Sequence, residues 1–313
     1  MSIHVKKTNI LTLRAKKRRK IKTVLVTAYD IWQAQLADQA GVDAILVGDS
    51  LGMTTLGYET TIPVTMDDMI RHTEAVRRGT KKAFLIGDMP YLSYQVSDAE
   101  AIKNAGRFVQ AGVDCVKVEG AMVNRIKNLC DAGFVVMSHL GLTPQTKAKL
   151  GGYRVQGKTA RDYEVILKQA VKLQDAGCSF LLLEAMPRVP AQLIAEELSI
   201  PVYGIGAGNG VDGQLVILHD LIGLFFDFKS KFVKRYCNAG ALIQSSLEEY
   251  AEEVRNGSFP TQENFYEIKD EELEKLLSDS NWKYTEKNAA NLGDSNNNGS
   301  ARTSRKIKAL QVS

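Results

Sequence analysis

The strongest constraint on what this chain can fold into is a recurring junction: a helix-patterned stretch ends in Ala-Gly and a short apolar run follows. The junction occurs at Ala40-Gly41, Ala111-Gly112, Ala132-Gly133 and Ala176-Gly177. Glycine just beyond a helix end takes the left-handed conformation that turns the chain back toward a sheet. Eight apolar runs can be marked, at 24–28, 44–47, 84–86, 115–118, 134–137, 180–183, 202–205 and 215–218. They are continuous rather than alternating, as parallel strands covered on both faces require. Amphipathic stretches at 31–39, 66–78, 98–110 and 163–175 lie between them. Strands alternating with helices in this number predict a (β/α)8 TIM barrel. An open doubly wound sheet shares the pattern, because closure leaves no local mark.

The length of 313 residues fits one large barrel with additions at both ends. Residues 1–22 are expected to form a basic arm or helix covering the bottom of the fold, and residues 23–265 the barrel. From 1 to 29 there is no acidic residue. This superficially resembles a transit peptide, but the first strand starts too early to leave a removable leader, so cytoplasmic residence is expected. A long helix at 241–254, a Gly257-Ser258-Phe259-Pro260 stop and a short charged helix at 270–277 should follow. The extension 266–313 should be largely disordered after about 280, where Asn, Ser and Gly dominate.

Composition excludes several function classes. The net charge of +4 is concentrated between Lys6 and Lys22, whereas a nucleic-acid groove spreads basic residues over a face with aromatics between them. No nucleic-acid partner is therefore expected. The late apolar stretch 215–228 is interrupted by His219, Asp220 and Asp227 and is too short to span a bilayer. Cys115, Cys130, Cys178 and Cys237 have neither CxxC spacing nor a His-rich neighbourhood, which points to reduced thiols rather than zinc or disulfides.

In barrels the functional groups stand at the C-terminal ends of strands, so the first polar residues after each run are the informative ones. These are Tyr29 and Asp30, Asp49 and Ser50, Asp88, Lys117 and Glu119, His139, Glu184, and the Gly206-Ala207-Gly208 turn. Asp49, Asp88 and Glu119 come from consecutive strands and converge on one mouth. Hard oxygen ligands of that kind suit Mg²⁺ better than zinc. Structural roles stand beside these: Asp49 can cap a helix, and Asp88, ahead of Met89-Pro90, can serve a turn. Lys117 interrupts an apolar strand, so its ammonium should face a carboxylate, either Glu119 or a substrate's. His139 ends its strand either as a hydrogen-bonded structural group or as an active-site group. Glu184 ends the apolar run 181–183, a setting suited to a general base.

Two motif matches do not carry over into function. Residues 152–159 satisfy GxxxxGK[ST], but no buried strand precedes them and the loop interior is bulky. The Gly204-x-Gly206-x-Gly208 run has Asn209 where a dinucleotide fold needs its third glycine.

In order along the chain stand Thr27-Ala28-Tyr29-Asp30, Val47-Gly48-Asp49-Ser50-Leu51-Gly52-Met53, Gly87-Asp88-Met89-Pro90 and Val116-Lys117-Val118-Glu119-Gly120. His139-Leu140-Gly141-Leu142-Thr143-Pro144-Gln145, the segment 151–159, and residues 204–208 followed by Asp212-Gly213-Gln214 complete the series. Together they resemble the ketopantoate hydroxymethyltransferases over roughly residues 13–265. The resemblance implies a (β/α)8 barrel of the phosphoenolpyruvate mutase/isocitrate lyase-like group, assembled as a homo-oligomer, typically a decamer. It implies transfer of the one-carbon unit of 5,10-methylenetetrahydrofolate to 3-methyl-2-oxobutanoate, giving 2-dehydropantoate on the route to pantothenate. Carried over residue by residue, Asp49 and Asp88 would bind Mg²⁺, with Glu119 completing or supporting its coordination. Asp49, Ser50, Asp88 and Lys117 would hold the oxo acid, Glu184 would be the general base, and His139 would be an active-site histidine. The basic run at 14–22 and the tail after about 270 exceed the family core, and no motif marks the folate pocket.

Two competing readings remain at this point. A carbon-carbon or carbon-phosphorus lyase of the related group would need a cysteine in a Lys-Cys-Gly loop, which none of the four cysteines provides. A non-enzymatic interaction protein would use the basic arm to bind RNA or an acidic surface.

Overall fold

The computed structural model describes residues 7–224 and 230–278. Eight parallel strands close into a barrel in sequence order. They are β1 (Thr23–Thr27), β2 (Ala44–Val47), β3 (Phe84–Asp88), β4 (Cys115–Glu119), β5 (Val136–Gly141), β6 (Phe180–Glu184), β7 (Val202–Ile205) and β8 (Gly213–Val216). Pairing of β8 with β1, through Gly213 against Thr23 and Leu215 against Leu25, excludes the open sheet.

Helix α1 (Ile10–Arg18) precedes the barrel, and α2 (Ile31–Gln39), α3 (Leu51–Thr54), α4 (Met66–Gly79), α5 (Asp98–Gln110) and α6 (Val123–Asp131) follow the first strands. Then come α7 (Ala160–Asp175), α8 (Arg188–Glu197), α9 (Leu218–Ile222), α10 (Ala239–Asn256) and α11 (Asp270–Ser278). Their starts are chemically marked. Thr65 with Asp68 and Thr159 with Asp162 form capping boxes on α4 and α7, and Ser97 caps α5. At the four Ala-Gly junctions the glycines have φ of 79°, 94°, 93° and 96°, the left-handed turn the motif predicts.

Six strands differ from the sequence expectation in their bounds, the fifth and the eighth most. The eighth strand is Gly213–Val216 rather than 215–218, because Gly213 pairs with both Thr23 and Tyr203 and Leu218 already opens α9. The fifth runs to Gly141 instead of stopping at Met137; Phe134 stays in the helix return, its amide bonded to the Leu129 carbonyl at 3.1 Å.

Alternate strand residues face the barrel interior. Leu25, Leu46, Ile86, Cys115, Met137, Leu182 and Ile205 are among those that fill it. The other face packs on the helices through Val26, Ile45, Leu85, Val116, Leu181 and Val202. The basic arm plugs the bottom: Leu13 of α1 is buried in the interior cluster. Lys7 meets Asp114 at 2.5 Å, Lys16 meets Asp43 at 2.5 Å and Lys17 meets Asp212 at 2.8 Å. Each of these aspartates precedes a strand and also accepts a backbone N–H, from Leu85, Val24 and Val202 respectively. Three of the nine lysines and arginines between Lys6 and Lys22 are therefore paired with aspartates of the barrel.

The chain divides into two compact units, residues 1–243 and 244–313. In the second, the Tyr250 and Phe259 rings meet edge to face at 5.6 Å. The tail expected to be disordered from about residue 280 lies outside the described residues.

Candidate active site

At the top of the barrel the inward face changes from apolar to polar. Ile86 is followed two residues later by Asp88, Cys115 by Lys117 and Glu119, Met137 by His139, and Leu182 by Glu184. Strand register makes neighbours of them: Asp88 pairs with Lys117, and Glu119 with His139. Asp49, Ser50, Asp88, Lys117, Glu119, His139 and Glu184 all line one cavity of about 970 Å³. These seven strand-end residues are thus brought to one mouth, whereas Tyr29 and Asp30 do not line it.

The ionic contacts form a continuous chain. The Lys117 ammonium donates to Asp88 at 2.7 Å and to Glu119 at 3.3 Å. His139 places Nδ1 3.3 Å from Glu119 and Nε2 3.3 Å from Glu184. Lys117 is 3% exposed and Asp88 2%, so this is a buried network whose partners depend on one another. Asp49 does not cap α3. The helix starts at Ser50 without a side-chain cap, and the Asp49 amide donates to Asp88 Oδ2 at 3.2 Å. Asp30, by contrast, serves structure: it caps α2 through the Gln33 amide.

The protonation pattern follows from burial and charge. Burial first, and the neighbouring Asp88 charge second, raise the Asp49 carboxyl well above the usual carboxylate range. Burial also raises Asp88, against the pull of Lys117. Burial opposes the charge of Glu119 too, but Lys117 holds it down at about 2. Burial would lower His139, yet the carboxylates of Glu119 and Glu184 raise it to about 9. At neutral pH His139 is therefore an imidazolium between two carboxylates. Glu184 faces this imidazolium rather than purely apolar surroundings.

Two buried side chains that sequence reasoning did not single out tie the acids together. Gln145 donates its amide to Asp49 Oδ2 at 2.9 Å and to the Met89 carbonyl at 3.0 Å, and its backbone N–H donates to Glu119 Oε2 at 3.1 Å. The Tyr94 hydroxyl donates to Gln145 Oε1 at 2.5 Å and accepts from the Glu119 amide at 3.2 Å. Tyr29, noted only as a strand-end polar group, holds the Ser50 hydroxyl at 2.7 Å. Gln145 stood inside a quoted motif, but nothing local shows that its amide reaches a residue 96 positions away.

Among the described residues no three His, Cys, Asp or Glu side chains form a ready cage for a metal ion. The donor set nevertheless fits Mg²⁺, which keeps several waters and takes one or two carboxylates together with oxygens of a substrate. Asp49 and Asp88 are adjacent buried carboxyls that resist ionising together, a conflict that a divalent cation relieves. Glu119 is differently placed: Oε1 faces Lys117 and His139, and Oε2 accepts from Gln145.

The segment 152–159 is preceded by turns and ends at the N-cap of α7, so the P-loop pattern is not in a nucleotide-binding context. Its Tyr153, Arg154 and Val155 line the cavity instead.

The fold and site define a (β/α)8-barrel protein with an acid-rich C-terminal mouth. A 2,3-dimethylmalate lyase, a member of the phosphoenolpyruvate mutase/isocitrate lyase superfamily, shares the fold with a TM-score of 0.53 at 16% identity, over 87% of this chain and 95% of that one. A phosphoenolpyruvate phosphomutase from Streptomyces platensis subsp. rosaceus aligns with a TM-score of 0.54 at 15% identity, over 80% and 88%. The family itself is resolved by sequence. Residues 7–262 match the profile described as Ketopantoate hydroxymethyltransferase, and the chain belongs to that family. It is 48% identical to 3-methyl-2-oxobutanoate hydroxymethyltransferase of Alkaliphilus metalliredigens, over 88% of this chain and 99% of that protein. Identity to the enzyme of the same name from Moorella thermoacetica is 49%, over 81% and 96%.

Proposed function

We propose that this chain transfers the one-carbon unit of 5,10-methylenetetrahydrofolate to 3-methyl-2-oxobutanoate, forming 2-dehydropantoate, with Asp49 and Asp88 holding Mg²⁺. The observation that carries this reading is the buried chain Asp88–Lys117–Glu119–His139–Glu184 at the barrel mouth, in a member of this family.

Mg²⁺ bound there would polarise the oxo group of the substrate and offset the charge that builds on it when C3 loses its proton. Glu184 takes that proton, and its approach is fixed by His139 at 3.3 Å. The freed electron pair at C3 forms the new carbon-carbon bond to the methylene carbon; both bonds from that carbon to folate nitrogens break, one on opening to the iminium and the other when water adds, and the nitrogens take up the proton held by Glu184 and one from water. One water is consumed overall and supplies the hydroxyl, releasing tetrahydrofolate. Ser50, held by Tyr29, and Lys117 orient the oxo acid, while Glu119 supports the metal site through Lys117 and Gln145. Holding both reactants in one cavity replaces a bimolecular encounter with an oriented one.

A homo-oligomer of the decameric kind belongs to the same reading. The exposed Trp32 and Leu36, one turn apart on α2, support a face covered by another copy. Cytoplasmic residence follows from the biosynthetic role; no helix among the described residues is long and apolar enough to cross a membrane.

The test is formation of 2-dehydropantoate from the two substrates, with Mg²⁺ or with chelator, for wild type and Asp49→Asn. Metal-dependent product that is lost in the variant is expected. Folded, metal-loaded wild type giving no product overturns the reading.

A further inference from the structure

The cavity has two chemically different halves. Its floor carries Asp49, Asp88, Glu119 and Glu184 against one ammonium, Lys117, and one imidazolium, His139. Its outer wall is built by residues 153–155 ahead of α7 and residues 230–232, and Asp220 of α9 also lines the cavity. Tyr153, Arg154 and Val155 come from the first, Lys231 and Phe232 from the second. Phe232 lies against the end of β7, where Gly206 leaves the space; a Cβ there would stand 2.6 Å from the ring. Among the lining cations, Lys117 and His139 are held by the floor acids. Arg154 and Lys231, by contrast, form no ion pair with any described residue.

We propose that Arg154 and Lys231 bind the carboxylates of the glutamate tail of the folate donor, so that its ring end points inward to Glu184. The proposal rests on the reading of the donor given above. A tail with two or more carboxylates is repelled by a floor whose acids outnumber its cations, and attracted by rim cations that form no ion pair with a described residue. Tyr153 and Phe232 offer flat apolar surface for the rings that join the two ends of the donor. A volume of about 970 Å³ also exceeds what a small oxo acid fills.

The test compares wild type, Arg154→Ala, Lys231→Ala, the double variant and Arg154→Lys, with Lys168→Ala on the outer face of α7 as a charge-matched control. Steady-state kinetics give KM for each substrate. Calorimetry gives the affinity for tetrahydrofolate and for a tetrahydropterin that lacks the glutamate tail. Each alanine substitution is expected to raise the folate KM and Kd about tenfold at low salt, and less at high salt. The KM for the oxo acid and the affinity for the tail-less pterin should stay near wild type, and Arg154→Lys should recover most of the loss. Equal weakening of both pterins, or an unchanged folate KM in active variants, overturns the tail assignment while leaving the transferase reading intact. Wild type without transferase activity overturns both.

Discussion

Replacing Lys117 by methionine, which keeps the length of the side chain and removes its charge, isolates the electrostatics of the site. The ammonium is 3% exposed and serves Asp88 at 2.7 Å and Glu119 at 3.3 Å, with Asp49 beside them. Removing one partner of a buried ion pair typically costs about 3–5 kcal/mol, because the remaining charge has no solvent to replace it. For a unit of this size that corresponds to a fall in Tm of roughly 6–20 °C. The deficit has a defined pH dependence. Without Lys117, Asp88 and Glu119 titrate above their unfolded range, so the unfolded chain releases protons that the folded chain keeps. Stability then drops as pH rises, and the gap to wild type widens between pH 5 and pH 8. Urea denaturation at several pH values, without added metal, measures this. Adding Asp88→Asn should recover part of the loss, as expected for residues that interact directly. A deficit below about 1 kcal/mol that is flat with pH and not rescued by Asp88→Asn would refute the argument that the network is held together by this one cation.

Three further outcomes are expected. Glu184→Gln should slow exchange of the C3 proton of the oxo acid, followed by NMR in heavy water without folate, by about 10²–10⁴-fold; Mg²⁺ affinity measured by calorimetry should change little, and exchange at the wild-type rate would remove Glu184 as the base. Gln145→Ala should lower stability by about 2–4 kcal/mol, because it leaves the Asp49 carboxyl and the Met89 carbonyl without a buried donor; a loss under about 0.5 kcal/mol in denaturant titrations would mean that water replaces the amide. The two buried histidines should act in opposite directions. His139, raised to about 9, stabilises fully below its unfolded pKa of about 6.5 and loses that contribution as pH rises through 9. His219, lowered mainly by burial, contributes in the opposite sense, a loss of stability as pH falls below about 6.5. Unfolding free energies of His139→Gln and His219→Gln from pH 5 to 9.5 separate the two contributions.

The legible parts of this protein are those encoded by local rules. The Ala-Gly junctions mark where helices return to the sheet, because only glycine takes the required φ cheaply. The strand-end polar residues are legible because a charged side chain on an apolar run needs a reason; Lys117 finds Glu119 as anticipated, and Asp88, closer at 2.7 Å, in addition. Other features depend on closure of the barrel. Gln145 reaches Asp49 only because the segment after β5 folds across the mouth, and Tyr94 enters from the loop after β3. Arg154 and Lys231 meet one cavity from segments far apart in sequence. The roles of the three acids also separate only in three dimensions: Glu119 faces protein donors with both oxygens, while Asp49 and Asp88 compete for charge.

The arm illustrates the same limit. From sequence, the dense basic run is expected to cover the bottom of the fold, but its partners are not legible, since the aspartates it meets, Asp43, Asp114 and Asp212, are spread along the chain. Each of them fixes the start of a strand by accepting a backbone N–H, and each takes a lysine of the arm. The bottom of the barrel is thereby neutralised and plugged by Leu13, while the top keeps its excess of acids unneutralised. The two ends of one interior therefore differ in a single respect, whether the protein supplies its own cations in full. At the bottom it does, giving stability; at the top it stops short, and under the proposed function that shortfall is what would draw in a metal ion and the substrate it binds.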